Sequence, residues 1–261
     1  MTTSDGYILK MFRIPHGKDT DEPDLNRPPL LIQHGIFDSA DFVVMHGPTN
    51  SPAFYLANQG YDVWVSNSRG NKYSRKHKTL NPDKDKEFWD FSFEEMVLDD
   101  KANIEFVRDK TGFKKITYIG HSQGTSQMYA ALSTENQWFE DRLALYASLG
   151  SVTRLDHMTS ELLTLLITQA DTVIPIFEDL GIYEMFPSDY LTKPSFVLVC
   201  GTLPWVCKFG NKLIADADPR VDSTLDARIY FGHFPSGSSL KCLIHYTQIY
   251  KAKKFQKYDD R

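Results

Sequence analysis

Gly120-His121-Ser122-Gln123-Gly124 places a serine between two glycines. A serine hydroxyl attacks a carbonyl only if a base removes its proton and the negative charge formed on the target is stabilised. The flanking residues suit such a task. Ile116, Tyr118 and Ile119 read as a short buried strand, and from Thr125 onward the residues suit a helix. A tight reversal from strand to helix needs small residues on both sides, because a larger side chain would meet the neighbouring backbone. Gly120 and Gly124 supply them. Ser122 is therefore the candidate nucleophile, raised above the strand with the positive end of the helix behind it. His121 precedes it, but adjacent side chains on a sharp turn diverge. It is expected to pack under the turn and not to serve as the base.

Other elements must bring partners to that turn. Tyr7 to Ile14 alternates apolar and polar residues like a half-buried edge strand, and a polar connector follows from Pro15 to Pro29. Leu30, Leu31 and Ile32 form a short apolar run that ends at His34-Gly35. Asp62 to Ser66 reads as a third strand, closed by Asn67-Ser68-Arg69-Gly70. Ser92 and Glu95 have capping-box spacing, and Phe93, Met96, Val97, Ile104 and Val107 recur at helical intervals up to Gly112. Another strand is expected near Leu145 to Val152. Strands alternating with helices predict a mainly parallel α/β sheet covered on both faces, with reactive groups gathered where strands end. His34-Gly35, Asn67 to Gly70 and Ser122 all fall at such ends. Beyond residue 152 helical stretches (Thr159 to Gln169, Lys241 to Lys251) alternate with proline-bearing loops. The organisation expected is a core over 1–152 and a helical cap over 153–261.

Composition narrows the function classes. Of 261 residues, 41% are hydrophobic and 13% aromatic, which suits a folded globule. A net charge of −5 gives no reason to expect nucleic acid as a partner. The most apolar stretch, Leu162 to Ile176, is interrupted by Thr164, Gln169 and Asp171, so no transmembrane segment is expected. The first residues carry neither a basic n-region nor an apolar h-region, so no signal peptide is expected here. Arg69, Lys72, Arg75, Lys76 and Lys78 form a basic cluster, read as solvated loop charge. No metal is expected at Cys200, Cys207, His233 or His245, whose spacing is unlike a zinc site.

Six segments agree with one family in sequence order: SDGYILKMFRIPHG, LIQHGIFDSADFVV, GYDVWVSNSRGNKYSRKH, EFWDFSFEEM, YIGHSQGT and HYTQIYKAKKFQKYD. Together they resemble the acid lipases, the gastric and lysosomal lipase family. The resemblance implies an α/β-hydrolase fold with a helical cap, a serine ester hydrolase acting on triacylglycerols or steryl esters, and no cofactor. It implies a lipid ester substrate met at a lipid–water interface, and a secreted or lysosomal compartment. On matching positions it makes Ser122 the nucleophile, and the backbone N–H groups of Ile36 and Gln123 the oxyanion donors. It also implies a disulfide in the part of the cap that holds Cys200 and Cys207, and structural roles for His233 and His245.

The family places its triad Asp and His, and the last strands of its sheet, after the segment matched by Phe255 to Asp259. Neither residue is expected within this chain, and Asp259 and Asp260 cannot take the Asp role. Three readings stay open at this level: a lipase, a catalytically inactive lipase-like fragment that binds lipid or a partner, and another serine hydrolase such as a peptidase or thioesterase.

Overall fold

Leu30 and Ile32 point to one side of their strand and Leu31 to the other, and the same division runs through the whole sheet. The computed structural model describes residues 1–18, 26–188, 198–199, 202–203, 205 and 224–260. Its central sheet contains β1 (Phe12–Ile14), β2 (Pro29–Gln33), β3 (Asp62–Val65), β4 (Ile116–His121) and β5 (Leu143–Leu149). The spatial order is β1-β3-β2-β4-β5, with β1 antiparallel to β3 and every other pair parallel. This is the mainly parallel α/β sheet that the sequence predicts.

Period-two alternation gives each central strand two buried faces. On one side Leu30, Ile32, Val63 and Val65 pack with Ala40 and Val43 of a 3₁₀ turn and with Ala53 and Ala57 of α2 (Pro52–Asn58). A short α1 (Gly47–Asn50) leads into α2. On the other side Leu31, Trp64, Ile116 and Tyr118 meet Val97, Ile104 and Val107 of α3 (Val97–Thr111) and Met128 of α4 (Gln123–Glu140). Between residues 160 and 252 the described helices are α5 (Glu161–Thr168), α6 (Ala170–Asp179), α7 (Thr224–His233) and α8 (Leu240–Ala252). β6 (Glu184–Met185) and β7 (Ser238–Ser239) form a separate two-stranded pairing. Tyr246 and Ile249 of α8 enter the same cluster as α3 and β4.

Three elements differ in extent from their sequence signals. Only Phe12–Ile14 joins the ladder, while Tyr7 and Ile8 make isolated bridges to His77 and Thr2. The alternation there arises because Tyr7 and Leu9 bury themselves against Phe88, Trp89 and Phe91, outside the sheet. The Ser92/Glu95 box does form: the Ser92 N–H donates to Glu95 Oε2 (2.6 Å) and the Glu94 N–H to Ser92 Oγ (3.1 Å). It caps an irregular turn of mixed i→i−3 and i→i−4 bonds, however, and α3 itself begins at Val97. Gly112, at φ 75°, ends α3 in the left-handed region, as its position predicts. β5 begins at Leu143 and ends at Leu149, before the expected Val152.

The basic cluster is only partly solvated. Lys76 and Lys78 are exposed, but Arg69 is 1% exposed. Its guanidinium binds Asp99 (2.7 Å) and Asp5 (2.6 Å) and lies 4.0 Å from the Tyr7 ring centroid. Burial opposes its charge, yet the two carboxylates raise its pKa above the ordinary value. Arg69→Leu should strand the fully buried Asp99 without a cation, and breaking a buried pair from one side costs about 3–5 kcal/mol. Urea unfolding of the variant measures this; a loss under about 1 kcal/mol would show that Asp99 is readily satisfied another way.

Candidate active site

The sheet order itself locates the site. From β2 the chain runs to β3 on one side, then returns past β2 to β4 on the other. A crevice opens at such a switch point, outside the carboxyl ends of the strands. The residues there are His34-Gly35 after β2 and Ser122 after β4.

Ser122 adopts φ 51° and ψ −116°, a backbone state that costs a non-glycine residue free energy and that a nucleophile turn requires. Hydrogen bonds to Ser122, and to Thr125 and Ser126 behind it, hold this state, among them one from Thr125 Oγ1 to the Ser122 carbonyl (2.5 Å). The Ser122 N–H donates to the Leu149 carbonyl at the end of β5 (2.9 Å), and the Ser122 carbonyl accepts from the Thr125 N–H (2.9 Å). Thr125 Oγ1 in turn accepts from the Val152 N–H (2.9 Å), and Ser126 Oγ donates to the Val152 carbonyl (2.7 Å). The glycines are needed for clearance. A Cβ on Gly120 would lie 2.6 Å from the Gly124 carbonyl oxygen, and one on Gly124 would lie 2.8 Å from the Gln33 carbonyl oxygen.

Gly35 closes the other side. A Cβ there would stand 3.0 Å from Ser122 Cβ and 3.4 Å from Ser122 Oγ. The turn after β2 and the turn after β4 are therefore in van der Waals contact. Ile36 follows Gly35 directly, and Gln123 is the first residue of α4. Neither backbone N–H donates to another protein group among the described residues. Ser122 Oγ likewise has no hydrogen-bond partner among them. His121 stacks on Phe42, with ring centroids 5.2 Å apart, and its Nδ1 has no partner. Burial lowers its pKa. This is the packing expected for it.

A family model described as the alpha/beta hydrolase fold matches residues 28–259, and one described as a partial alpha/beta-hydrolase lipase region matches residues 1–47. The chain belongs to the α/β-hydrolase family. It is 37% identical to human gastric triacylglycerol lipase over 262 residues, covering 99% of this chain and 65% of that one. It is 35% identical to human lipase member K, with 99% and 64% coverage, and 35% identical to Caenorhabditis elegans lipase lipl-1, with 99% and 65%. The resemblance read from the six segments is thus borne out, and the chain spans about 65% of the length of the gastric lipases it matches. Among solved structures, one from Sulfolobus solfataricus aligns with a TM-score of 0.56 at 16% identity, covering 99% of this chain and 78% of that one. A carboxylesterase structure from Nitrososphaera gargenis aligns at 0.52 and 12%, with 98% and 72% coverage. At these identities they establish the fold alone.

Around the site this α/β-hydrolase carries a buried polar network that the sequence did not announce. His34 Nε2 accepts from the Ser68 N–H (3.0 Å) and lies 3.1 Å from Asn71 Nδ2. Asn71 Nδ2 also reaches Asn67 Oδ1 (3.0 Å), which accepts from the Ala40 N–H (2.9 Å). Asp41 binds Lys72, Tyr73 Oη (2.9 Å) and His233 Nδ1 (2.7 Å). Although burial opposes it, these partners hold the Asp41 carboxyl below its usual range. His233 therefore fastens the end of α7 to the 3₁₀ turn. His245 is enclosed differently, stacked on Phe93 with centroids 4.1 Å apart and with Nε2 at the Gln256 carbonyl (2.9 Å). Cys200 and Cys207 lie outside the described residues, and Cys242 is a buried free thiol. Among the described residues no group of three or more His, Cys, Asp or Glu could hold a metal ion, and no helix is long and apolar enough to cross a membrane.

Two buried groups beside the crevice respond to acid in opposite directions. Burial raises Asp38 to about 7, against the Ser39 N–H that its carboxylate accepts. A raised carboxyl favours the fold at low pH, and that contribution is lost as pH rises from about 4 to 7. Burial lowers His34 to about 4, against its bond to the Gly35 carbonyl, and its contribution is lost as pH falls from about 6.5 to 4. Asp38→Asn keeps an oxygen for Ser39 and removes the titration. Relative to wild type it should gain stability between pH 4 and pH 7.5, by at most about 4 kcal/mol. Urea unfolding at both pH values checks this, and a difference that does not change with pH would refute it.

Proposed function

We propose that this protein is a serine ester hydrolase acting on neutral lipids, through an acyl-enzyme at Ser122. The observation that carries the reading is the contact between Gly35 and Ser122 at the switch point, with Ser122 held at φ 51° on the N-terminus of α4. In this mechanism Ser122 Oγ attacks the ester carbonyl carbon, and the carbonyl oxygen takes up negative charge. The backbone N–H groups of Ile36 and Gln123 receive that oxyanion, assisted by the α4 dipole. The alcohol leaves with a proton, and water then hydrolyses the acyl-serine. By the resemblance, the base that moves these protons and the carboxylate that orients it belong to segments after the one matched by Phe255 to Asp259.

The relatives' names support the substrate class, since one group is termed gastric triacylglycerol lipase. The apolar surface of the helical region supports a lipid–water interface as the place of action. Leu165, Ile176, Leu180, Phe186 and Trp205 are each at least half exposed. We assign residues 1–152 to the catalytic core and 153–261 to a cap, with α8 returning to pack against the core. A secreted or lysosomal site of action accords with this reading.

A second reading, a lipase-like scaffold that binds lipid without turnover, is favoured by one observation: no base is hydrogen-bonded to Ser122 among the described residues. A fluorophosphonate probe separates the two, because only an activated Ser122 is labelled. For the hydrolase, Ser122→Ala should lower turnover of a short-chain nitrophenyl ester by about 10³-fold or more. Retention of a tenth of the activity would rule out Ser122 as the nucleophile. Rates on emulsified ester should also rise more steeply than on monomeric ester; equal rates would point to a plain esterase.

A further inference from the structure

The hydrogen bonds of His34 define its protonation state without ambiguity. A backbone N–H only donates, so the Ser68 N–H at 3.0 Å requires a lone pair on Nε2. Asn71 Nδ2, at 3.1 Å, is a donor to the same atom. The neutral ring must then carry its proton on Nδ1, which lies 2.7 Å from the Gly35 carbonyl oxygen and donates to it. His34 is 2% exposed, so these bonds are shielded from bulk solvent.

That bond fixes the orientation of one peptide plane. Gly35–Ile36 is a trans peptide, in which the C=O and the following N–H point in opposite directions. With the Gly35 oxygen held on the His34 side, the Ile36 N–H is turned away from His34. Gly35 itself faces Ser122, as its missing Cβ shows. We propose that His34 is a positioning residue: locked as the Nδ1–H tautomer by Ser68 and Asn71, it pins the Gly35 carbonyl and thereby aims the Ile36 N–H at the oxyanion position above Ser122. The inference rests on the proposed hydrolase mechanism and deepens it.

Other groups around the ring reinforce the lock. Asn71 Oδ1 accepts from the Tyr73 N–H (3.0 Å) and the Ser74 N–H (3.1 Å), so its amide cannot flip without losing both. Its Nδ2 also reaches the Asp38 carbonyl (3.3 Å), which ties the far end of the turn to the same side chain. Phe37, in the middle of this turn, sits at φ 58° and is restrained by Ser236, whose N–H donates to the Phe37 carbonyl (2.7 Å). The segment after β3 thus clamps the segment after β2. Burial, with His121 and Lys72 adding positive potential and Asp41 opposing them, keeps the ring neutral down to about pH 4.

The test has one arm that needs no activity and one that does. Long-range ¹H–¹⁵N correlation spectra of the chain at pH 6 should show His34 as the Nδ1–H tautomer; an Nε2–H or imidazolium pattern would overturn the proposal. In the second arm, kcat and KM for a short-chain nitrophenyl ester are compared for wild type, His34→Leu and His34→Asn. The Asn amide nitrogen stands where Nδ1 stood and can still donate to Gly35. His34→Leu should lose about 10²-fold in kcat with KM changed less than about threefold, and His34→Asn should recover about tenfold of that loss. Near-UV circular dichroism shows which variants are folded, and His34→Asn alone suffices if the leucine variant is not. An unchanged kcat in a folded variant, or a loss lying wholly in KM, would overturn the positioning role. If a wild type that carries the base and its carboxylate hydrolyses no ester, the hydrolase reading falls, and the tautomer spectrum still decides the state of His34.

Discussion

The contact between the turn after β2 and the turn after β4 is the constraint on which the rest of the structure depends. Ser122 can occupy its positive-φ backbone state only because Gly120 and Gly124 leave no side chain between β4, α4 and the end of β2. A Cβ at Gly124 would meet the carbonyls of Gln33 and His34, and a Cβ at Gly35 would meet Ser122 itself. The three positions form one close-packed junction. It demands that β2 and β4 be neighbours in register, as Leu31 with Tyr118 and Gln33 with Gly120 are. It also demands that α4 start immediately after the serine, so that its free N–H groups and its dipole converge on the same point.

Burial on both faces of β2, β3 and β4 makes that register stable. Consecutive residues contribute to different clusters, Leu30 and Ile32 to one and Leu31 to the other, so a shift by one residue would invert both faces at once. β5 is less constrained. It is paired on one side only among the described strands, and Leu145 and Leu149 are 59% and 52% exposed. Yet its end supplies the carbonyl of Leu149 that holds the Ser122 N–H, and the following Val152 is tied to Thr125 and Ser126. The Ser122 turn is therefore anchored from both neighbouring strands, one through close approach and one through hydrogen bonds.

The polar interior behind the crevice has a different character from the apolar core. Arg69, Asp99, His34, Asn67, Asn71 and Asp38 are all nearly or fully buried, and each has partners fixed by the loops that follow β2 and β3. Partnered buried polar groups contribute specificity of geometry more than net stability. Here they define where two irregular segments lie relative to each other, which hydrophobic contact alone would leave loosely determined.

The sequence by itself determined the strand–turn–helix at Ser122, the alternation of strands and helices and the family, because glycine placement and apolar period are local properties of the chain. Gly120 and Gly124 were legible because a turn this tight tolerates almost nothing else. Gln123 follows Ser122 in the chain, and Ile36 follows the Gly35 that the fold sets against Ser122. Tertiary structure alone decided which loops meet. Arg69 looked like one of several loop cations, and only the fold placed it between Asp5 and Asp99, residues 64 and 30 positions away. His34 and Asn71 are separated by 37 positions, and nothing local in either segment indicates that one imidazole would serve the other. Tyr7 to Ile14 shows both cases, since Phe12 to Ile14 is the edge strand its alternation predicts, whereas Tyr7 and Leu9 alternate to meet Phe88 and Phe91 outside the sheet. Local periodicity records that a residue is buried; what it is buried against is set by chain topology, which brings distant segments together only after the sheet has formed.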